Sequence, residues 1–262
     1  MESIIQVMES VMAARDPYTV GHQQRVARLA CTLAGEMGLS PERIQTLHTA
    51  ASLHDLGKIA VPTGILSKPG ELTEIEFAMI KTHPQVGYDI LKPLKFPEPI
   101  GQIILQHHER MNGSGYPQGI KGKHISLEAR ILGVADVLEA MCSHRPYRPG
   151  LGLDRAREEI SRRKGVLYDA AVVDACLHLC AQCREAEQLF MVSLLDRRYQ
   201  MISGDVPIPQ GEGENQISER RRLGRAGRLR FPEVRANHFR FLLHTAVASL
   251  SGVMIMVGNR GF

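Results

Sequence analysis

No stretch of this chain sustains an alternation of apolar and polar residues with period two; where apolar residues recur, they do so at helical spacing. That pattern argues against a sheet-based core and predicts an all-α fold. Ile4, Ile5, Met8, Val11 and Met12 mark a helix over residues 2–15, which Asp16-Pro17 stops or kinks. Val26, Leu29, Leu33 and Met37 mark a second helix, closed by Gly38, with His22 one turn before Val26 and so on the core side. Ser40-Pro41-Glu42 opens a third, Ser40 at the N-cap and Pro41 at the first helical position, which runs through Leu47, Ala50, Ala51 and Leu53 to His54 and Asp55. The glycines and prolines of 57–70 predict a loop, and Thr73-Glu74-Ile75-Glu76 predicts a capping box for a helix leading to His83-Pro84. Further helices are expected over 84–92, 98–110, 126–142, 152–164 and 169–188, with a long Gly-rich loop at 111–124.

The 262 residues allow one or two domains. Trp is absent and aromatics are 5%, so the core must be built from Ala, Leu, Ile, Val and Met. Lys and Arg number 32 against 28 Asp and Glu, a balance too even to call for a nucleic-acid partner. Five cysteines in no paired framework fit a reducing cytosol, and Glu2 and Glu9 break any apolar signal core, so a cytoplasmic protein is expected. The character changes after about 190: residues 203–217 read as a linker, and Arg220, Arg221, Arg222, Arg225, Arg228 and Arg230 follow. The apolar stretch Phe239–Val257 contains His244 and is short and impure for a transmembrane helix, so no membrane span is expected. The Arg run reads as a solvated tail in preference to a nucleic-acid or acidic-membrane site.

The chemistry sits in the first two thirds. Adjacent helical residues point about 100° apart, so His54 and Asp55 cannot clamp an ion by themselves. They can present an imidazole and a carboxylate to a site whose other ligands come from elsewhere. His48, His124, His144, His178, His238 and His244 have no ligand-like company. His22 alone would be a core or capping histidine, and His83 before Pro84 a helix-entry residue. The doublet His107-His108 ending an apolar helix is harder to explain as core. Imidazole and carboxylate together suit Mn, Fe or Zn. Counted by coordination, His22, His54, Asp55 and Asp136 fill one metal; His83, His107 and His108, with the second oxygen of Asp55, hold another. Two metals roughly 3.5–4 Å apart, sharing a bridging hydroxide, are the usual device for phosphoester hydrolysis.

The run His54-Asp55-Leu56-Gly57-Lys58 resembles the signature of the HD phosphohydrolase superfamily. The segment from His107-His108-Glu109 through Gly113-Ser114-Gly115-Tyr116-Pro117 to Gly119 resembles the defining stretch of its HD-GYP family. Asp16-Pro17-Tyr18-Thr19 with Gly21-His22 and Arg25-Val26 is similar to that family's opening motif, and Ala135-Asp136 with Ser143 through Arg148 to its later one. The likeness covers about residues 8–185 and implies a helical HD domain over 16–188, ahead of a tail (189–262) of open role; the apolar stripe of the N-terminal helix (1–15) suggests a signalling or dimer linker. It implies hydrolysis of the bacterial second messenger cyclic di-GMP, with His22, His54, Asp55, His83, His107, His108 and Asp136 as ligands of two divalent metals, iron or manganese. It makes Asp55 and Lys58 catalytic, Lys58 near the scissile phosphate. It assigns substrate contacts to Asp16, Lys58, Glu139, Arg145 and Arg148, and to Gly115, Tyr116 and Pro117 a pocket wall and partner surface, with glycine supplying unusual backbone angles. A homodimer, a diguanylate cyclase and an upstream sensor are the partners it suggests.

This chain departs from the family in places. Family members with a third metal carry Glu four residues before the first ligating His; Tyr18 stands there, which favours two metals and linear pGpG as main product, with GMP as the further one. Glu139 stands where Asp is common, and Cys142 and His144 also depart. Two rival readings remain: a nucleotide phosphohydrolase of the broader superfamily, and a non-catalytic module that senses cyclic di-GMP or docks on a cyclase. Cys176, Cys180 and Cys183 have the spacing of an iron–sulfur cluster motif, yet i, i+4, i+7 is one helix face, and buried thiols are the expected outcome.

Overall fold

A computed structural model describes residues 2–15, 17–68, 70–94, 96, 99–143 and 150–181, the side chains of 2 and 17–20 excepted. Asp16, Arg145, Arg148, Cys183 and everything beyond residue 181, including the linker, the Arg run and the apolar tail, lie outside the described residues. Within them the chain is helical: α1 (Glu2–Arg15), α2 (Pro17–Glu36), α3 (Pro41–Leu53), α4 (Thr63–Leu66), α5 (Glu74–Ile80), α6 (His83–Leu91), α7 (Ile100–Gln106), α8 (Leu127–Cys142), α9 (Leu153–Arg162) and α10 (Ala170–Ala181). No strand occurs among the described residues, only an isolated bridge between Lys164 and Tyr168.

The local rules explain the boundaries. Gly38, at φ +74°, turns the chain out of α2, and the Leu39 N–H returns to the Ala34 carbonyl. Thr73 and Glu76 form the expected capping box. Ser40 occupies the N-cap of α3, but its side chain makes no cap bond. Two expectations need correction. The loop at 57–70 holds a 3-10 turn, Leu56–Ala60, and the single-turn α4. The helix expected over 98–110 stops at Gln106, because the His107 ring takes the Ile104 carbonyl at 2.6 Å, so the His107-His108 doublet lies in the turn beyond.

Helices α2, α3, α7 and α8 pack together around the core. Helix α8 is buried on almost every face, from Ala129 through Met141, which is why its sequence carries no amphipathic stripe. Cys176 and Cys180 are buried free thiols on α10, as expected of a packed face. Helix α1 lays Met12 into the core and leaves Ile4, Val7 and Val11 exposed.

One close approach fixes the loop after His54-Asp55. The 3-10 turn presses on the start of α6 so tightly that a Cβ on Gly57 would stand 1.9 Å from the His83 carbonyl oxygen and 2.6 Å from the Gly87 nitrogen. Both obstacles are backbone, so nothing can swing aside. Gly57→Ala is therefore expected to destabilise the fold by about 3 kcal/mol. Urea denaturation of the metal-free chain checks this, and an unchanged midpoint would contradict the tight packing.

Candidate metal centre

Five parts of the fold deliver seven buried side chains to one place: α2 brings His22, the end of α3 brings His54 and Asp55, the start of α6 brings His83, the turn after α7 brings His107 and His108, and α8 brings Asp136. Three of the rings are oriented by the same device. The last carbonyls of a helix lack intrahelical partners, and a histidine three residues on can satisfy one. The Nδ1–H groups of His54, His83 and His107 donate to the carbonyls of Ala51, Ile80 and Ile104 at 2.6, 2.7 and 2.6 Å. That choice puts the proton on Nδ1 and leaves each Nε2 as a lone pair facing inward.

The inward atoms form three overlapping triads, each within 4.8 Å: His83, His107 and His108; His22, His54 and Asp136; and His54, Asp55 and His107, which straddles the other two. Asp55 faces both sides. Its Oδ1 lies 3.6 Å from His83 Nε2, while its Oδ2 lies 3.6 Å from His54 Nε2 and 3.9 Å from His22 Nε2. His83 Nε2 and His107 Nε2 face each other at 3.3 Å. Both rings already spend their proton on a carbonyl, so two acceptors are opposed. His54 Nε2 and His108 Nδ1 are buried with no hydrogen-bond partner. Opposed and orphaned lone pairs in a nitrogen–carboxylate donor set fit divalent metal of the borderline class. These clusters can bind metal.

Electrostatics agree. Burial holds His83 down at about 4, and burial with the neighbouring imidazoles holds His107 and His108 well below the usual histidine range. All three are neutral at pH 7, as a metal ligand must be. Burial opposes ionisation of Asp55 and Asp136, yet Lys58 and the surrounding imidazoles hold Asp55 low, and His22 holds Asp136 low. His22 behaves differently: burial works against its charge, but bonds to Asp136 and Glu139 push it up to about 9.

The other expected residues fall unevenly. Lys58 donates to Asp55 Oδ2 at 2.6 Å and is partly exposed at the edge of the cluster. Glu139, expected as a substrate contact, is 0% exposed, with Oε2 on His22 Nδ1 and Oε1 on Arg25 Nε at 2.6 Å and on Ser143 Oγ. In the Gly-rich loop, Tyr116 is buried and stacks on His108 with ring centres 4.8 Å apart, so it walls the site; Pro117 is exposed. Gly115 does not have a positive φ. It is required because a Cβ there would stand 2.5 Å from the His108 carbonyl oxygen and the Arg110 nitrogen.

Sequence reasoning missed three supports. Glu109 Oε1 accepts from the Gln118 and Gly119 N–H groups at 2.7 and 3.1 Å and so draws the loop back over the site. Arg110, 2% exposed, donates to the Glu109 carbonyl at 3.0 Å and lies 5.5 Å from the Tyr168 ring centre, bracing the turn that carries the doublet. Arg15, on α1, donates to the Val61 carbonyl at 2.6 Å and lines a shallow cleft together with Val11, Met12, Asp55 and Lys58. Glu109 and Arg110 sit inside the quoted motif and were readable as buried charges only after the turn was placed.

Comparison with known proteins gives likenesses of three kinds: a family, curated relatives and a solved structure. The family described as HD domain matches residues 6–172. The cyclic di-GMP phosphodiesterase response regulator RpfG of Xanthomonas campestris pv. campestris is 43% identical over 173 residues, covering 65% of this chain and 46% of that protein. The 3'3'-cGAMP-specific phosphodiesterase 3 of Vibrio cholerae is 36% identical over 156 residues, covering 60% of this chain and 34% of that protein. The chain thus spans about half or less of these relatives. Among solved structures, Bd1817, an HDG"Y"P protein from Bdellovibrio bacteriovorus, shares the fold with a TM-score of 0.53 at 22% identity, over 62% of this chain and 52% of that one. No described helix is long and apolar enough to cross a membrane.

The neutral histidines set a pH dependence. A group whose folded pKa is depressed binds its proton more readily when unfolded, so stability falls as pH drops through the interval between the two values. For His83 that interval runs from 6.5 to about 4, and His107 and His108 act in the same direction; Asp55 and Asp136 add to the loss only below 3.8. The metal-free protein is expected to lose melting temperature steeply from pH 6.5 to pH 4. Thermal melts in chelator test this; a flat profile would mean that the cluster is hydrated.

Proposed function

The chain belongs to the HD domain family, its Gly115-Tyr116-Pro117 loop placing it with the HD-GYP members, and from that premise we propose that it hydrolyses cyclic di-GMP to linear pGpG with two divalent ions, iron or manganese. The observation that carries the reading is Asp55, whose two oxygens face two different sets of imidazoles. A carboxylate so placed serves as a bridge between His22, His54 and Asp136 on one side and His83, His107 and His108 on the other. When bound, the pair of ions supplies a nucleophilic hydroxide at neutral pH and neutralises charge on the phosphorus centre. The chain's own residues then hold the substrate. Lys58, on the edge of the cluster beside Asp55, reaches a phosphate oxygen and stabilises the charge that builds as the 3′-oxygen leaves. Tyr116 closes the wall behind His108 and excludes water from that side. Asp16, Arg145 and Arg148 complete the substrate contacts, the arginines suiting phosphate and guanine edges by their planar fork. The exposed Ile4, Val7 and Val11, spaced i, i+3 and i+7 on α1, support pairing with a second copy. The exposed rim at Pro117 is the surface for a cyclase or sensor partner.

A second substrate, 3'3'-cGAMP, is favoured by the relative from Vibrio cholerae. Both cyclic dinucleotides present the same phosphodiester to the metals and differ in one base. A turnover assay separates them. Manganese- or iron-loaded full-length protein is expected to convert cyclic di-GMP to pGpG at early times and to act more slowly on 3'3'-cGAMP. Unchanged cyclic di-GMP with either metal would refute the proposal, and early accumulation of GMP would refute the two-metal product assignment. Asp55→Ala is expected to remove both ions, as measured by elemental analysis; two ions per chain in that variant would exclude the bridge.

A further inference from the structure

Glu139 is a fully buried carboxylate, and an ionised group in that position persists only if its oxygens are satisfied. Its partners come from a two-rung pairing of helices. His22 and Arg25 lie one turn apart on α2, and Asp136 and Glu139 lie one turn apart on α8, so the two faces meet side by side. His22 Nε2 meets Asp136 Oδ1 at 3.2 Å, His22 Nδ1 meets Glu139 Oε2, and Arg25 Nε meets Glu139 Oε1 at 2.6 Å. Ser143 Oγ, on the residue just past the end of α8, donates to Oε1.

His22 needs such a partner for a structural reason. His54, His83 and His107 each lie just beyond a helix end and use a carbonyl three residues back. His22 lies inside α2, where the preceding carbonyls serve the helix. A side-chain acceptor must do there what a backbone carbonyl does for the other rings.

We infer that Glu139 is a positioning residue for His22, holding the ring proton on Nδ1 and aiming the Nε2 lone pair at the divalent-cation site formed with His54 and Asp136. Arg25 and Ser143 hold Oε1, so that Oε2 stays on the ring. A carboxylate is a stronger acceptor than a carbonyl and makes His22 the more basic ligand. The inference rests on the metal-site reading proposed above and adds that one ion is more sensitive to residue 139 than the other, because His83 and His108 do not touch Glu139.

The test titrates the full metal-free chain with Mn²⁺, following free Mn²⁺ by electron paramagnetic resonance and bound metal by elemental analysis. Wild type is expected to take up two ions. Glu139→Gln keeps the shape and an acceptor but removes the charge, and is expected to weaken one ion about 10–100-fold while the other binds as in wild type. Arg25→Gln is expected to weaken the same ion by a smaller factor. His22→Ala with Glu139→Gln is expected to bind no more weakly than His22→Ala alone, because Glu139 acts through that ring. Equal affinity of both ions for wild type and Glu139→Gln would overturn the inference. So would a parallel loss of both ions with a lowered melting temperature, which marks a purely structural role. A wild-type chain that takes up no Mn²⁺ would overturn the metal-site reading itself, and the inference with it.

Discussion

Two imidazole nitrogens 3.3 Å apart, each with its proton committed to a carbonyl behind it, face each other across the centre of this fold. In a buried site this opposition of lone pairs is unfavourable unless a cation lies within reach. The helices are arranged to hold the rings there nonetheless. α3, α5 and α7 all end at the centre, and each end offers an orphan carbonyl to a histidine three residues on. The same bond completes a helix terminus and points a ligand. Sequence position and ring tautomer are thereby linked: a histidine one residue earlier or later would reach a different carbonyl or none.

The charge pattern has two halves. His83, His107 and His108 form an uncharged cluster in which protonating one ring disfavours protonating the next, with His107 and His108 centroids only 4.1 Å apart. His22, Asp55, Asp136 and Glu139, with Lys58 and Arg25, form an ion-paired cluster instead. Asp55 belongs to both. The asymmetry follows from the elements. Helix ends supply neutral acceptors, whereas the side of α2 meets the side of α8 and only side chains are available between them.

The helices were legible because they rest on local information, apolar spacing and caps, and the His107-His108 doublet because it is too polar for the end of an apolar helix; the full set of seven candidate ligands came only through the family likeness. Helix α8 lies within a residue of its expected limits although it is buried on almost every face. What could not be read depends on distances between elements. Gly57 and Gly115 look like loop glycines in the sequence; their reason is the approach of two backbones, and for Gly115 no unusual torsion is involved. Glu139 reads in the sequence as a substrate contact one turn past Asp136, and only the packing of α2 against α8 shows its carboxylate on His22. The end of α7 was misjudged for the same reason, since the ring of His107 competes for a carbonyl that the apolar pattern assigns to the helix.

The N-terminal helix has a closer relation to the centre than a linker requires. Met12 is in the core, Arg15 is tied to the Val61 carbonyl just past the 3-10 turn, and Val11, Met12 and Arg15 wall the cleft that Asp55 and Lys58 also line. The 3-10 turn is in turn locked against α6 through Gly57, directly beneath the His83 carbonyl. A chain of contacts thus runs from α1, through the Arg15 side chain, to the turn bearing Lys58 and, by backbone packing at Gly57, to the helix bearing His83. Displacing α1 would first alter the wall beside Lys58, because the helix-end bonds of the three histidines involve no residue of α1.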